Sequence, residues 1–265
     1  MGHYRQPEGG KVITRMELQE VARFRRLSLK NAERDYLLDV CLHTVSRHGR
    51  GLAFKGGTAL YKLHNLNLFS EDLDFVAEKK RPDLRTLQDE IVRAGRLLGI
   101  AARAGEPDEH QRSVNLQVSF NGPLYDGSKG STTRVIFNVS LCERPNHVEW
   151  RMYNPLFKEL GSFELRVLRV DELLAEKVRA VMTRDKPRDV YDVWFLLRSG
   201  VKLDEGLVEK KFKAYDSRFS MEALLAAARR KKGMWISDLS DLIIGELPVF
   251  DTVIHDITQM LKKGP

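Results

Sequence analysis

Residues 54–75 read Phe-Lys-Gly-Gly-Thr-Ala-Leu-Tyr-Lys-Leu-His-Asn-Leu-Asn-Leu-Phe-Ser-Glu-Asp-Leu-Asp-Phe, and two features of this stretch decide the fold. The first is a glycine turn. Gly51 to Phe54 is a short apolar run, Lys55-Gly56-Gly57 breaks it, and a helix is predicted from Thr58, whose hydroxyl can cap it, to about His64. The second is an acidic pair. Leu73, Phe75 and Val76 mark a short strand around Asp72 and Asp74. Side chains alternate faces along a strand, so the two aspartates point the same way, roughly 7 Å apart at Cα. Leu73 and Phe75 would bury the opposite face and fix that direction.

Carboxylates so placed can converge on the same ions. Two magnesium ions about 3.5–4 Å apart stabilise both the attacking and the leaving oxygen of an in-line phosphoryl displacement. Hard oxygen ligands suit Mg2+, with Mn2+ as the alternative, and do not suit a soft metal. Gly56 and Gly57 carry no side chain to block a triphosphate, and backbone N–H groups at the start of the next helix would face its charge. Thr58 adds a hydroxyl donor. Alone, Asp-x-Asp is more often a solvated pair and Gly-Gly-Thr an ordinary strand-to-helix turn; their order in one short segment points to nucleotide chemistry.

Working outward, Leu37, Leu38, Cys41, Leu42 and Val45 recur at helical spacing and predict a helix over 29–48, stopped by Gly49. Residues 83–98 read as an amphipathic helix. The runs 113–120 and 134–141 are β-rich, and the Gly, Asn, Asp and Ser content between them suits a long hairpin connection. A further β-like run, 163–170, precedes a helix from Asp171 to about Met182, Lys186-Pro187 interrupts it, and a new helix carries Val190, Val193, Trp194 and Leu197 inward until Gly200. Everything after about 214 reads as helical. This pattern predicts an α+β (α/β) architecture: a mixed sheet with flanking helices over 1–170 and a helical C-terminal domain over 171–265.

The bulk composition narrows the class. At 265 residues, 42% hydrophobic and 31% charged, with no apolar run near the roughly 18 residues of a membrane span, the chain reads as a soluble, cytoplasmic protein with no membrane partner. Two cysteines, Cys41 and Cys142, sit in apolar stretches and read as thiols rather than a disulfide or zinc site. The excess of 44 Lys and Arg over 37 Asp and Glu, a net +7, would attract polyanions such as RNA or nucleoside triphosphates, or is a solvated basic surface. The seven histidines come with no Ser or Cys nucleophile elbow, which argues against a hydrolase.

A second constellation lies at 176–192, EKVRAVMTRDKPRDVYD. Lys177, Val181 and Arg184 are spaced to share one helical stripe. Lys177 can neutralise a triphosphate as a point charge, Arg184 and Lys186 can add contacts, and Asp189 opens the next helix, where the dipole favours a carboxylate. The plainer reading is a charged helix-turn-helix in which Arg188 pairs with Asp189 or Asp192.

Together KGGTAL, SEDLDF and EKVRAVMTRDKPRDVYDVWFLL resemble the AbiEii/AbiGii toxin family of nucleotidyltransferases, which includes the MenT-type toxins, over residues 35–200. The late segment looks like the family pattern Lys-x3-Thr-x2-Arg-x-Lys-x2-Asp, met here by Lys177, Val181, Arg184, Lys186 and Asp189, so valine replaces the usual threonine. The resemblance implies a polymerase-β-like sheet carrying Asp72 and Asp74 as metal ligands, a helical C-terminal part and NTP as substrate. Gly56, Gly57, Thr58, Ser70, Arg184 and Lys186 would bind the nucleotide, and Lys177 and Asp189 would complete the catalytic set. It implies a toxin with a cognate antitoxin in a toxin–antitoxin or phage-defence system, adding nucleotides to RNA at the tRNA 3′ end. The alternatives are a catalytically weak nucleotide- or RNA-binding relative and an enzyme that transfers NMP to protein. One departure concerns mechanism: Asn138 falls where such enzymes carry a third carboxylate, with Glu143 nearby as the other register, which leaves acceptor deprotonation to bound metal or to Asp189.

Overall fold

The computed structural model describes residues 13–78, 82–142, 144–213 and 218–262. Helices α1 (Arg15–Arg25) and α2 (Leu29–His48) lead into β1 (Leu52–Lys55), α3 (Gly56–Leu63), β2 (Leu73–Ala77) and α4 (Leu84–Leu97). Strands β3 (Ala101–Ala104), β4 (Asp108–Glu109), β5 (Ser113–Asn121), β6 (Thr133–Ser140), β7 (Val148–Tyr153) and β8 (Phe163–Leu168) follow. The remainder is helical: α5 (Val170–Thr183), α6 (Pro187–Arg198), α7 (Glu205–Lys213), α8 (Met221–Arg229), α9 (Trp235–Leu239) and α10 (Phe250–Lys262). The expected α+β class, with a mixed sheet, flanking helices and a helical remainder, is what the chain forms.

The chain divides into two compact units, one of Met1–Phe54, Glu71–Leu141 and Trp150–Arg166, the other of Lys55–Ser70, Cys142–Glu149 and Val167–Pro265. The strands run in the order β3-β5-β6-β2-β1-β8-β7, with β4 added on β5. β5 and β6 form the expected antiparallel hairpin, and β2 lies parallel to β6 with Asp74 opposite Asn138. Strict alternation in β5 and β6 gives each two unlike faces. Val114, Leu116, Val118, Phe120, Val135, Phe137 and Val139 are buried, while their neighbours are partly or fully exposed. The apolar face carries α2 and α4, which pack on each other. Glu33 of α2 reaches through this layer to accept from Thr133 Oγ1 at 2.8 Å and from the Leu124 backbone at 2.6 Å, so a buried carboxylate fixes the end of the hairpin connection.

In the second unit α5 packs on α6, α7 and α8, and α6 also meets α9 and α10. The chain beyond 214 is not helical throughout: Ile243 forms an isolated bridge with Leu68, and Phe69 and Ile244 N–H groups bond to the Leu242 and Asn67 carbonyls. No sequence expectation covered α1, β3, β4 or β7. β3 is Ala-Ala-Arg-Ala, without a β-branched residue, and becomes a strand by pairing with β5. The two cysteines are free thiols, Cys41 buried in α2 and pushed up in pKa by burial.

Phe137 ties the layers together, 1% exposed and stacked on Phe75 with ring centroids 6.3 Å apart. Phe137→Ala opens a cavity beneath β2 and should cost about 3–5 kcal/mol of unfolding free energy, read from the denaturant midpoint at unchanged slope.

Candidate active site

The acidic pair stands in the first unit. Leu73 and Phe75 are buried while Asp72 and Asp74 are half-exposed, so the two aspartates share the face opposite the core. Asp74 lies in β2, and Asp72 precedes its first residue. Asn138 donates its side-chain N–H to Asp74 Oδ1 at 3.0 Å, the reach that the parallel register gives directly opposed residues. Asn138 therefore stands beside Asp74, as an amide. Glu143, the other candidate, lies outside the described residues. Glu71 is ion-paired with Arg34 of α2, which anchors the chain just before Asp72.

The glycine turn belongs to the second unit, and here the expected cap is corrected. α3 starts at Gly56, with Lys55 rather than a threonine at the N-cap and no capping side chain. Gly56 has φ of +77°, a conformation that side-chain-bearing residues rarely adopt, so the helix begins straight after β1. Thr58 is thereby buried inside the first turn, and its hydroxyl donates to Ser70 Oγ at 2.7 Å. At Gly57 an added Cβ would lie 3.2 Å from Ser70 Oγ and 3.9 Å from Lys177 Nζ, so a hydroxyl and an ammonium approach the bare backbone closely there. Four residues that the sequence singled out, Gly57, Thr58, Ser70 and Lys177, thus meet.

Lys177 is buried and ion-paired with Asp192 at 2.6 Å and Asp189 at 3.3 Å. Arg184 does not continue the α5 stripe as the spacing suggested: it is the C-cap residue in extended conformation. From there its guanidinium forms a bidentate pair with Asp189, at 2.6 and 2.7 Å. Lys186 is the exposed N-cap residue of α6 and contributes its carbonyl to the Asp189 N–H. Burial works to raise the Asp189 pKa, but Lys177 and Arg184 outweigh it and hold the carboxyl below its usual range. Asp192 has one cation where Asp189 has two, and burial, aided by Asp189, pushes it up. Lys177 stays protonated because both carboxylates overcome the burial that would lower it. Asp189 is accordingly held as a carboxylate between Lys177 and Arg184.

Asp192 is the residue that the sequence reading left out of the site. Its signal was the three-residue step from Asp189, which puts both carboxylates on one face of α6. A second network braces the same region: Glu176 pairs with Lys55 at 3.0 Å and with Lys211 at 3.0 Å, and Lys211 also pairs with Glu172 at 2.7 Å.

Comparison with known proteins bears on the family and the fold. Residues 42–256 match the profile of the family described as nucleotidyl transferase AbiEii toxin, type IV toxin–antitoxin system. Among solved structures the chain resembles MenT4, a nucleotidyltransferase toxin of Mycobacterium tuberculosis, at 22% identity and a TM-score of 0.65 over 94% of this chain and 88% of that one. It also resembles JHP933 of Helicobacter pylori at 18% identity and a TM-score of 0.55, over 89% of this chain and 92% of that one. No curated protein sequence matches.

The charge balance at Lys177 generates a stability prediction. Lys177→Met leaves two buried carboxylates facing each other with only Arg184 between them, which should cost about 3–5 kcal/mol. The folded-state pKa of Asp192 already lies above its unfolded value, so the fold gains from its protonation and loses stability as pH rises through that pKa. Removing the lysine enlarges this effect. The melting-temperature gap between Lys177→Met and wild type should therefore be wider at pH 8 than at pH 5.

Proposed function

The chain belongs to the AbiEii family of nucleotidyltransferase toxins, and from that premise we propose that it transfers NMP from NTP onto RNA, at the 3′ end of tRNA, using Mg2+ at Asp72 and Asp74. Its partners on this reading are NTP, tRNA and a cognate antitoxin, in keeping with a family described by its toxin–antitoxin system. No helix among the described residues is long and apolar enough to cross a membrane. The observation that carries the reading is the alternation of buried Leu73 and Phe75 with half-exposed Asp72 and Asp74, beside the strand that bears Asn138.

The donor set fits the ion. Among the described residues no group of three or more His, Cys, Asp or Glu side chains is placed to hold a metal. Mg2+ needs no such cage, because it commonly binds through one or two carboxylates and completes its shell with substrate phosphates and water. When bound it would offset the charge that develops on the transferring phosphoryl group. Asp72 and Asp74 hold and orient it. Gly57 leaves room for phosphate oxygens, the uncapped first turn of α3 offers N–H groups, and Lys177 supplies a fixed positive charge. Asp189 and Asp192 keep that ammonium protonated and in place. Asn138, being an amide, cannot take the acceptor proton. The amide at 138 also favours a second reading, a relative that binds nucleotide without transferring it.

Incubating the purified protein with total RNA, Mg2+ and each labelled NTP separates these readings. Label in the tRNA band, lost when the 3′ end is blocked, is expected. Label only in protein would make the acceptor a protein hydroxyl, and NTP retained without product would make the chain a binding module. Asp72→Asn and Asp74→Asn should each lower transfer by about 10²–10³-fold or more at unchanged melting temperature.

A further inference from the structure

The sheet of the first unit has one face covered by α2 and α4, and the other face leaves polar side chains accessible beside the acidic pair. On this open face the register lines up Asp74, Asn138 and Asn115 across β2, β6 and β5. One step along the strands stands the pair Gln117 and Ile136, the latter 38% exposed, large and apolar. A further step along, Ser119 lies opposite Arg134 on one side and Arg103 on the other. Both arginines are exposed, and among the described residues neither has an ion-pair partner. Two strand spacings separate them, about 10 Å, and the four residues from Arg134 to Asn138 span about 13 Å.

We propose that this open face of β6, β5 and β3 is the track for the acceptor strand, taking a single-stranded RNA 3′ end whose backbone phosphates meet Arg103 and Arg134 and one of whose bases rests on Ile136. The inference rests on the reading of the chain as an RNA nucleotidyltransferase. Sheet order supports it: β6 and β5 follow directly beside β2, so this face is continuous with the strand that carries Asp74. Amides at 115, 117 and 138 offer neutral donors and acceptors to bases and ribose hydroxyls, and unpaired guanidinium groups suit phosphates. Asp108, opposite Asn115, makes the other end of the face acidic, so the phosphates are drawn toward the arginines.

The test uses full-length protein and a fluorescent single-stranded RNA oligonucleotide, with anisotropy read across a salt series. Arg103→Gln/Arg134→Gln should flatten the slope of log K against log salt by about 1.4, at about 0.7 for each of two phosphates. In transfer assays the same variant should raise KM for RNA at least tenfold and leave NTP affinity unchanged. Arg26→Gln/Lys30→Gln, which removes the same charge from the exposed ends of α1 and α2, should do neither. An unchanged slope, or an equal effect of the control pair, overturns the track. Because the slope is measured without turnover, it judges the track even if no label enters RNA, an outcome that would sink the functional reading instead.

Discussion

The parallel pairing of β2 with β6 is the constraint from which the acidic half of the site follows. It sets Asp74 against Asn138, stacks Phe75 on Phe137 beneath them, and makes the faces of three adjacent strands agree. A slip of one residue would turn Asp72 and Asp74 into the core and bring Leu73 and Phe75 out to water, at a cost no local interaction could offset. The aspartates are held by what lies under them more than by what they touch.

The second unit solves a different problem, the burial of charge. Lys177 and Arg184 face Asp189 and Asp192, and Lys55 and Lys211 face Glu172 and Glu176, two cations to two carboxylates in each group. Buried ions are tolerated only when so matched. Lys177 is consequently restrained rather than free to sweep toward a ligand. Lys231 is buried as well, donating to the Val181 and Ala227 carbonyls, while Lys232 on the surface pairs with Asp251.

Much of this was legible in the sequence because it rests on periodicity. The alternation around Asp72 and Asp74, the helical spacing in α2, α4 and α6, and the hairpin of β5 and β6 each carry a local signal. What escaped depends on distant partners. β3 becomes a strand only against β5, Thr58 loses its capping role because Gly56 can turn at positive φ, and Arg184 leaves its helix to pair with Asp189. The place of Asp192 beside Lys177 was open to discovery from its three-residue step after Asp189, yet only packing decides which of two such carboxylates a lysine meets more closely.

The sheet also sets an order of events. β5 and β6 are neighbours in sequence, so their hairpin closes a short loop, whereas Asp74 and Asn138 are 64 residues apart and meet only after β4, β5 and α4 have been threaded between them. Closing the longer loop costs more entropy and repays it later. A chain emerging during synthesis therefore displays a hairpin and helices before it owns a carboxylate pair in register.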